Sequence, residues 1–285
     1  MENKTVKNKR STTPGRVIVF ILLLIGAATM ILPFLWMLIT SLKEANLVYT
    51  VPPQWIPDPV KWENYVRIWT ASNLLTGIKN SVIVTSIVLL VNTFTSTMAA
   101  FSFSKLKFRG RTALFIMLLT TMMVPFAVIL VPLFIIYTKF GWIDTLLPLI
   151  VPASLCNINI IFFMRQYMTG LPKDLLDAAK IDGCGYFSAY WRIFLPLSKP
   201  AIVANVIMLF MTTWNDYFSP LIFTHSESKQ TVQVAIAMLN SHYIQQTDVP
   251  LMMTASVIAI LPVLILFIAC QKYFTESFAI SGIKG

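Results

Sequence analysis

Long uncharged stretches alternate with short polar ones along this chain, and the length of the uncharged stretches decides the fold class. From Val17 to Leu42 no charged residue occurs over 26 positions. That exceeds the roughly 20 apolar residues that cross a bilayer as a helix, and the roughly 7–15 of a cleaved leader. Similar stretches fill much of 80–104, 112–138, 145–164, 200–222 and 249–271. Backbone polar groups in lipid must be satisfied within the segment, so the pattern predicts an all-α integral membrane protein with six transmembrane helices. The spans together make one domain over 17–272.

Proline and small residues modulate individual spans. Pro33 predicts a kink in the first, and Ser96 to Ala100 suits close helix packing in the second. The third contains Thr120-Thr121-Met122-Met123-Val124-Pro125 and then Pro132, which predicts a bent or interrupted helix.

The polar interruptions set the orientation. Residues 1–16, with Lys4, Lys7, Lys9, Arg10 and Arg16, read as a disordered cytoplasmic leader. Pro52, Pro53, Pro57 and Pro59 break up an outer loop that ends in a short interfacial helix over Val60–Trp69. Lys105, Lys107, Arg109 and Arg111 crowd into a short inner turn, His225–Val249 forms a polar outer loop, and 273–285 is a cytoplasmic tail. With both termini inside, sixteen Lys and Arg lie on the inner segments and six on the outer ones, satisfying the positive-inside rule. The result is a multi-pass protein of the plasma membrane.

Between the fourth and fifth spans lies the polar stretch 171–200. Pro172 suits a first helical turn, Asp174 and Asp177 suit the positive end of the macrodipole, and Gly183 suits a helix stop. A helix over Pro172–Asp182 is about 16 Å long, too short to span. Leu175, Ala178 and Ala179 share one of its faces, and the two alanines would let another protein approach the backbone closely. A second helix over Gly185–Phe194 ends before Leu195-Pro196, completing an elbow.

Composition narrows the chemistry. Hydrophobic residues make up 56% of the chain and charged ones 12%, against about 25% charged in a soluble domain. The net charge of +10 sits at the flanks of apolar runs, where it serves topology and not nucleic acid. Cys156, Cys184 and Cys270 have no CxxC or Cys/His clustering, so no metal site is expected. His225 and His242 lack a triad or ligand partner, and no G-x4-GK[ST] phosphate loop is present. The chain is therefore expected not to be an enzyme.

Asp177-Ala178-Ala179, Gly183, Ile193 and Leu195-Pro196 reproduce the spacing E-A-A-x3-G-x9-I-x-L-P with Asp in place of Glu. This resembles the signature of membrane subunits of ATP-binding cassette importers. Asn64-Tyr65, Asn80-Ser81, Thr121 to Pro125, Trp214-Asn215-Asp216 and Gly282 to Gly285 extend the similarity to maltose-type carbohydrate importers, and within them to the shorter, MalG-like permease. A secondary transporter or channel would explain the spans and leave the elbow without a purpose. An importer permease for a non-sugar solute would share the elbow but not the further segments.

The resemblance implies that the elbow is a coupling helix docking the ATPase through Leu175, Asp177, Ala178, Ala179, Asp182, Gly183, Ile193, Leu195 and Pro196. It implies a second, MalF-like permease, two ATP-binding cassette subunits, an extracytoplasmic solute-binding protein and a sugar substrate. No cofactor belongs to the chain itself, ATP and Mg2+ being held by the partner subunits. Ser281, Gly282, Ile283, Lys284 and Gly285 are placed where they can contact the ATPase.

Asp216 is the acidic residue within or at the end of a span, a position that is costly unless it faces a wet cavity or a partner. With Trp214, Asn215 and Tyr217 it offers ring faces and hydrogen-bonding groups for sugar hydroxyls. The other reading puts Asp216 at headgroup level and Trp214 and Tyr217 in the interfacial aromatic belt.

Overall fold

The computed structural model describes residues 14–155, 157–242 and 248–282, and the described residues form helices and connecting segments with no strand. In chain order the helices are α1 (Pro14–Ser41), α2 (Asn64–Ala71), α3 (Leu74–Lys105), α4 (Arg111–Thr121), α5 (Phe126–Lys139), α6 (Leu147–Ser154) and α7 (Ile158–Gly170). They continue with α8 (Asp174–Ile181), α9 (Tyr186–Ala189), α10 (Leu195–Leu197), α11 (Lys199–Trp214), α12 (Phe218–Phe223), α13 (Val232–His242) and α14 (Val249–Gly282).

Among the described residues, four segments are long and apolar enough to cross a membrane: Gly15–Ser41, Leu74–Lys105, Leu147–Gly170 and Val249–Gln271. Two further pairs qualify if each is one broken span. Arg111–Thr121 and Phe126–Lys139 meet at 93°, and Tyr186–Leu197 and Lys199–Trp214 at 79°. The chain is thus a multi-pass membrane protein, with four to six spans among the described residues.

α3 is the central post. Val84, Val88, Asn92, Ser96 and Ala100 recur every fourth residue and are buried, against α6, α7 and α11. The small side chains at Ser96, Thr97 and Ala100 let neighbouring helices come close, as the sequence suggests. α1 differs: its most apolar window buries nothing against the rest of the chain. In lipid that exposure costs little, because acyl chains are as apolar as leucine.

The C-terminal end of α1 is pinned by polar contacts. Asn64 of α2 donates to the carbonyls of Ser41 (2.9 Å) and Lys43 (3.0 Å), and Thr254 of α14 donates to Ser41 (3.2 Å). An Arg67–Asp248 ion pair ties α2 to the start of α14.

Several boundaries differ from the sequence reading. The first helix begins at Pro14, inside the stretch read as leader, because Pro14 can open a helix. The fourth span is split into α6 and α7. The carbonyls freed at the end of α6 are taken up by α3: Asn92 donates to Ala153 (2.7 Å) and Thr95 to Ser154 (3.2 Å). The fifth span stops at Trp214, where Asn215–Tyr217 interrupts it.

The loop after His225 contains a helix, α13. Its Val232, Ala235 and Leu239 are buried and its Ile236 half-buried, at i, i+3, i+7 and i+4 spacing. α14 runs on past 271 to Gly282, so Ser281 and Gly282 lie in its last turn. Ile283, Lys284 and Gly285 fall outside the described residues.

Candidate functional site

The stretch 171–200 folds into the anticipated elbow, with altered ends. α8 starts at Asp174, and Asp174 and Asp177 occupy its first turn. Its C-terminus closes on Gly183 at φ +78°, with Gly183 N–H donating to Lys180 (3.0 Å) and Cys184 N–H to Ala179 (2.8 Å). This paired closure satisfies carbonyls that the helix end would leave open, and glycine supplies the left-handed residue it needs. Ahead of α8, Lys105 Nζ at the foot of α3 donates to the Leu171 carbonyl (2.7 Å). Lys180 Nζ lies 5.0 Å from the Tyr186 ring and links α8 to α9.

The face offered outward differs in part from the Leu175, Ala178 and Ala179 face that the sequence suggested. Leu176 and Ala179 are buried, in one cluster with Met168, Ala189, Tyr190 and Phe194. Ala179 is 2% exposed and so is unavailable to a partner. The outward stripe is Asp174, Asp177, Ala178 and Ile181, with Ile181 86% exposed; Leu175 is half-buried at its edge. The predicted face is therefore rotated: Ala178 remains on it, Ala179 leaves it and Ile181 joins it.

The second arm of the elbow does not stop before Leu195-Pro196. Tyr190–Phe194 widens into a π-turn, in which Leu195 N–H donates to Tyr190, and α10 follows through Pro196 to Leu197. In a regular helix the proline ring would collide with the carbonyl four residues back, and the wider turn relieves that contact. Ile193 and Leu195 are half-buried against the same cluster as Ala179, whereas Asp182, Gly183 and Pro196 are exposed. Sequence reasoning passed over Tyr186, Phe187 and Trp191, which are 52%, 62% and 52% exposed beside α8. Three large rings in a polar segment were the signal.

Among the four residues proposed for the pathway, Trp214 turns away. It is buried, its Nε1–H donates to the Ala259 carbonyl (3.0 Å), and its ring stacks on Phe210 at 5.5 Å. Asn215 and Tyr217 are exposed. Asp216 is half-buried and accepts the N–H of Ser219 (3.2 Å), capping α12. Asn and Asp side chains compete for backbone groups in this way, which is why α11 ends here.

The segment 225–232 is clasped to α3 and to the turn before α6. Asn80 donates to Ser228 (3.0 Å) and Gln230 (2.8 Å), and Ser81 Oγ accepts Val232 N–H (2.9 Å). Asp144 accepts the N–H groups of His225 (2.9 Å) and Ser226 (2.8 Å) and the Ser226 hydroxyl. These donors hold the Asp144 carboxyl at about 2, below its ordinary 3.8.

Residues 92–279 match the sequence profile of the binding-protein-dependent transport system inner membrane component. The chain belongs to this family. The permease is 32% identical over 284 residues to the arabinooligosaccharides transport system permease protein AraQ of Halalkalibacterium halodurans, covering 97% of this chain and 100% of that one. It is also 32% identical over 279 residues to the trehalose/maltose transport system permease protein MalG of Thermococcus litoralis, covering 93% and 97%. Its fold matches a chain in the crystal structure of a bacterial ABC transporter involved in the import of the acidic polysaccharide alginate. That match has a TM-score of 0.80 at 22% identity, covering 90% of this chain and 95% of that one. The permease is accordingly a transport subunit and not a catalyst.

Proposed function

We propose that the permease forms the translocation pathway of an ATP-driven oligosaccharide importer together with a second, MalF-like permease, and takes its energy through the elbow. The observation that carries this reading is the division of labour in α8. One face is locked into the core by Leu176 and Ala179, and the other presents Asp177, Ala178 and Ile181 outward. A short helix so anchored moves with the body behind it, so a force applied to its outer face reaches the spans. Ala178 leaves room for close approach, Ile181 and the exposed rings supply apolar area, and Asp177 and Asp182 fix register by charge.

Ile193 and Leu195 act from the inside of the elbow by holding its two arms together, while Gly183 shapes the turn. On this reading the elbow and both termini are cytoplasmic. Two ATP-binding cassette subunits bind ATP and Mg2+, and a solute-binding protein delivers sugar to the opposite face. The end of α14, with Ser281 and Gly282, leads the tail toward the ATPase. The relatives named for arabinooligosaccharides and trehalose/maltose support sugar as the substrate class.

Affinity purification of the permease from its own membranes tests the assembly. A second permease and an ATPase should come down with it, and reconstituted vesicles should take up an oligosaccharide only with ATP and the binding protein. Uptake by the isolated permease without ATP would overturn the reading.

A further inference from the structure

A groove of about 560 Å³ runs where α3, α11 and the second arm of the elbow meet. On α3 it reaches from Thr97 to Ser86, on α11 it takes in Ile202 and Val206, and the elbow contributes Trp191 and Leu195. Leu90 is 75% exposed, Trp191 52% and Phe94 40%, so the groove is open along its length. Its wall is aliphatic and aromatic apart from a few hydroxyls, and two of these, on Thr97 and Tyr190, already meet each other at 2.9 Å. Such a wall offers little to a polar ligand and much to a hydrocarbon chain.

The length of the groove separates two apolar occupants. From Thr97 to Ser86 the helix advances about 16 Å, close to half of a hydrocarbon layer about 30 Å thick. A helix of another subunit crossing the layer needs a track of the full thickness, whereas the acyl chains of one leaflet reach just this depth. A concavity left empty in lipid forfeits dispersion contacts along its walls, and a flexible acyl chain can follow it and restore them.

The elbow end of the groove carries the charge. Lys199 opens α11 on the same side as Ile202 and Val206, at i, i+3 and i+7 spacing, and Arg192 follows Trp191 in the chain. Both cations are exposed. The ion pairs among the described residues are Glu44–Lys61 and Arg67–Asp248, so neither Lys199 nor Arg192 is bound to a carboxylate there. Trp191 adds an exposed indole, a ring that favours the headgroup level of a membrane. An apolar track one leaflet deep that ends at an aromatic ring and two free cations has the chemistry of a phospholipid turned inside out.

We infer that this groove holds one acyl chain of an anionic phospholipid from the elbow-side leaflet, with the phosphate set at Lys199 and Arg192. Trp191 and Leu195 lie before the 79° bend at the foot of α11 and Ile202 and Val206 after it, so the lipid braces that bend. The site requires only that these helices lie in a bilayer, and it stands whatever solute the permease carries.

The test uses the complete importer in nanodiscs that contain, as a small fraction of the lipid, phosphatidylglycerol or phosphatidylcholine with the same diazirine-bearing acyl chain. After illumination, labelled peptides are mapped and counted by mass spectrometry. Peptides covering 86–97 and 202–206 should carry more label from phosphatidylglycerol than from phosphatidylcholine. Lys199→Gln and Arg192→Gln should each lower the phosphatidylglycerol label by about five-fold, the factor that roughly 1 kcal/mol for one basic residue at an anionic headgroup carries. Lys107→Gln, which removes an exposed cation from the turn before α4, should leave it unchanged. Leu90→Trp, which fills the groove, should remove the label from both lipids. Equal labelling by the two lipids, or a phosphatidylglycerol label unaltered in both cation variants, overturns the site. Label absent from the groove but present on other segments of the complex shows another subunit seated there, and overturns it as well.

Discussion

Tyr190 and Thr97 meet through their hydroxyls at 2.9 Å in a buried seam between the elbow and α3. Thr97 already donates to the Thr93 carbonyl (2.6 Å), so Tyr190 is the donor in the pair. The ring beneath it packs on Phe101 at 5.6 Å. Tyr190→Phe should therefore cost only about 0.6–1 kcal/mol, the size of one polar contact between membrane helices. Tyr190→Ala also empties the ring site and should cost about 3–5 kcal/mol. Thermal unfolding of the importer in nanodiscs separates the two, and equal losses would show that the hydroxyl pair, not the ring, holds the seam.

The rotated face of α8 gives opposite expectations for adjacent alanines. Ala178→Trp and Ile181→Asp alter the exposed stripe and should reduce recovery of the ATPase with the permease by about ten-fold or more, as for a central interface residue. Ala179→Trp forces bulk into the core and should instead lower permease stability by about 1–3 kcal/mol. Pull-down yield and unfolding temperature, measured on all three, distinguish docking from packing. If Ala179→Trp lost the ATPase at full stability, the assignment of faces would be reversed.

Two glycines should fail for different reasons. A Cβ at Gly77 would stand 3.0 Å from the Ala235 Cβ and 3.1 Å from the Thr231 carbonyl carbon and oxygen, so Gly77→Ala should push α13 off α3. Gly183 has nothing within 4 Å but sits at φ +78°, so Gly183→Ala should cost only about 1 kcal/mol of backbone strain. Asparagine tolerates that conformation and should restore stability at 183 but not at 77. Melting curves of the four variants check this, and rescue of Gly77 by Asn would contradict it.

The Asp144 clasp should be insensitive to pH over the neutral range. Its folded carboxyl titrates near 2 and its ordinary value is 3.8. The stabilisation is thus fully present above the ordinary value, declines as pH falls below it, and is gone once pH has passed through the folded value. Protease nicking around 225–231 should rise only in that acid window. In Asp144→Asn nicking should be raised at neutral pH and lose the acid step. An acid step that persists in the variant would assign it to another group.

The spans are legible in the sequence because lipid imposes a simple rule on length and charge, and the Gly183 stop is legible because few residues other than glycine adopt its conformation. The inward face of α8 is not. Leu175 with Ala178 and Leu176 with Ala179 form equally apolar pairs, and the choice is made by Met168, Ala189 and Tyr190 packing from outside the helix. Trp214 is similar, its direction being set by the Ala259 carbonyl 45 residues further on. α13 was legible at Val232, Ala235, Ile236 and Leu239, but the glutamines and asparagine around them read as loop.

The segment 228–232 is seated by its main chain. Asn80 grips the carbonyls of Ser228 and Gln230, and Ser81 grips the N–H of Val232, so on the segment's own side every one of these bonds is made by main chain. Main-chain groups are the same whatever residue carries them. Ser228 is exposed, so a substitution there leaves the segment in position, whereas Gln230 is buried and a change at Asn80 or Ser81 would unseat the segment at once. A side-chain clamp that reads only main chain lets the exposed position 228 vary without asking α3 beneath it to change.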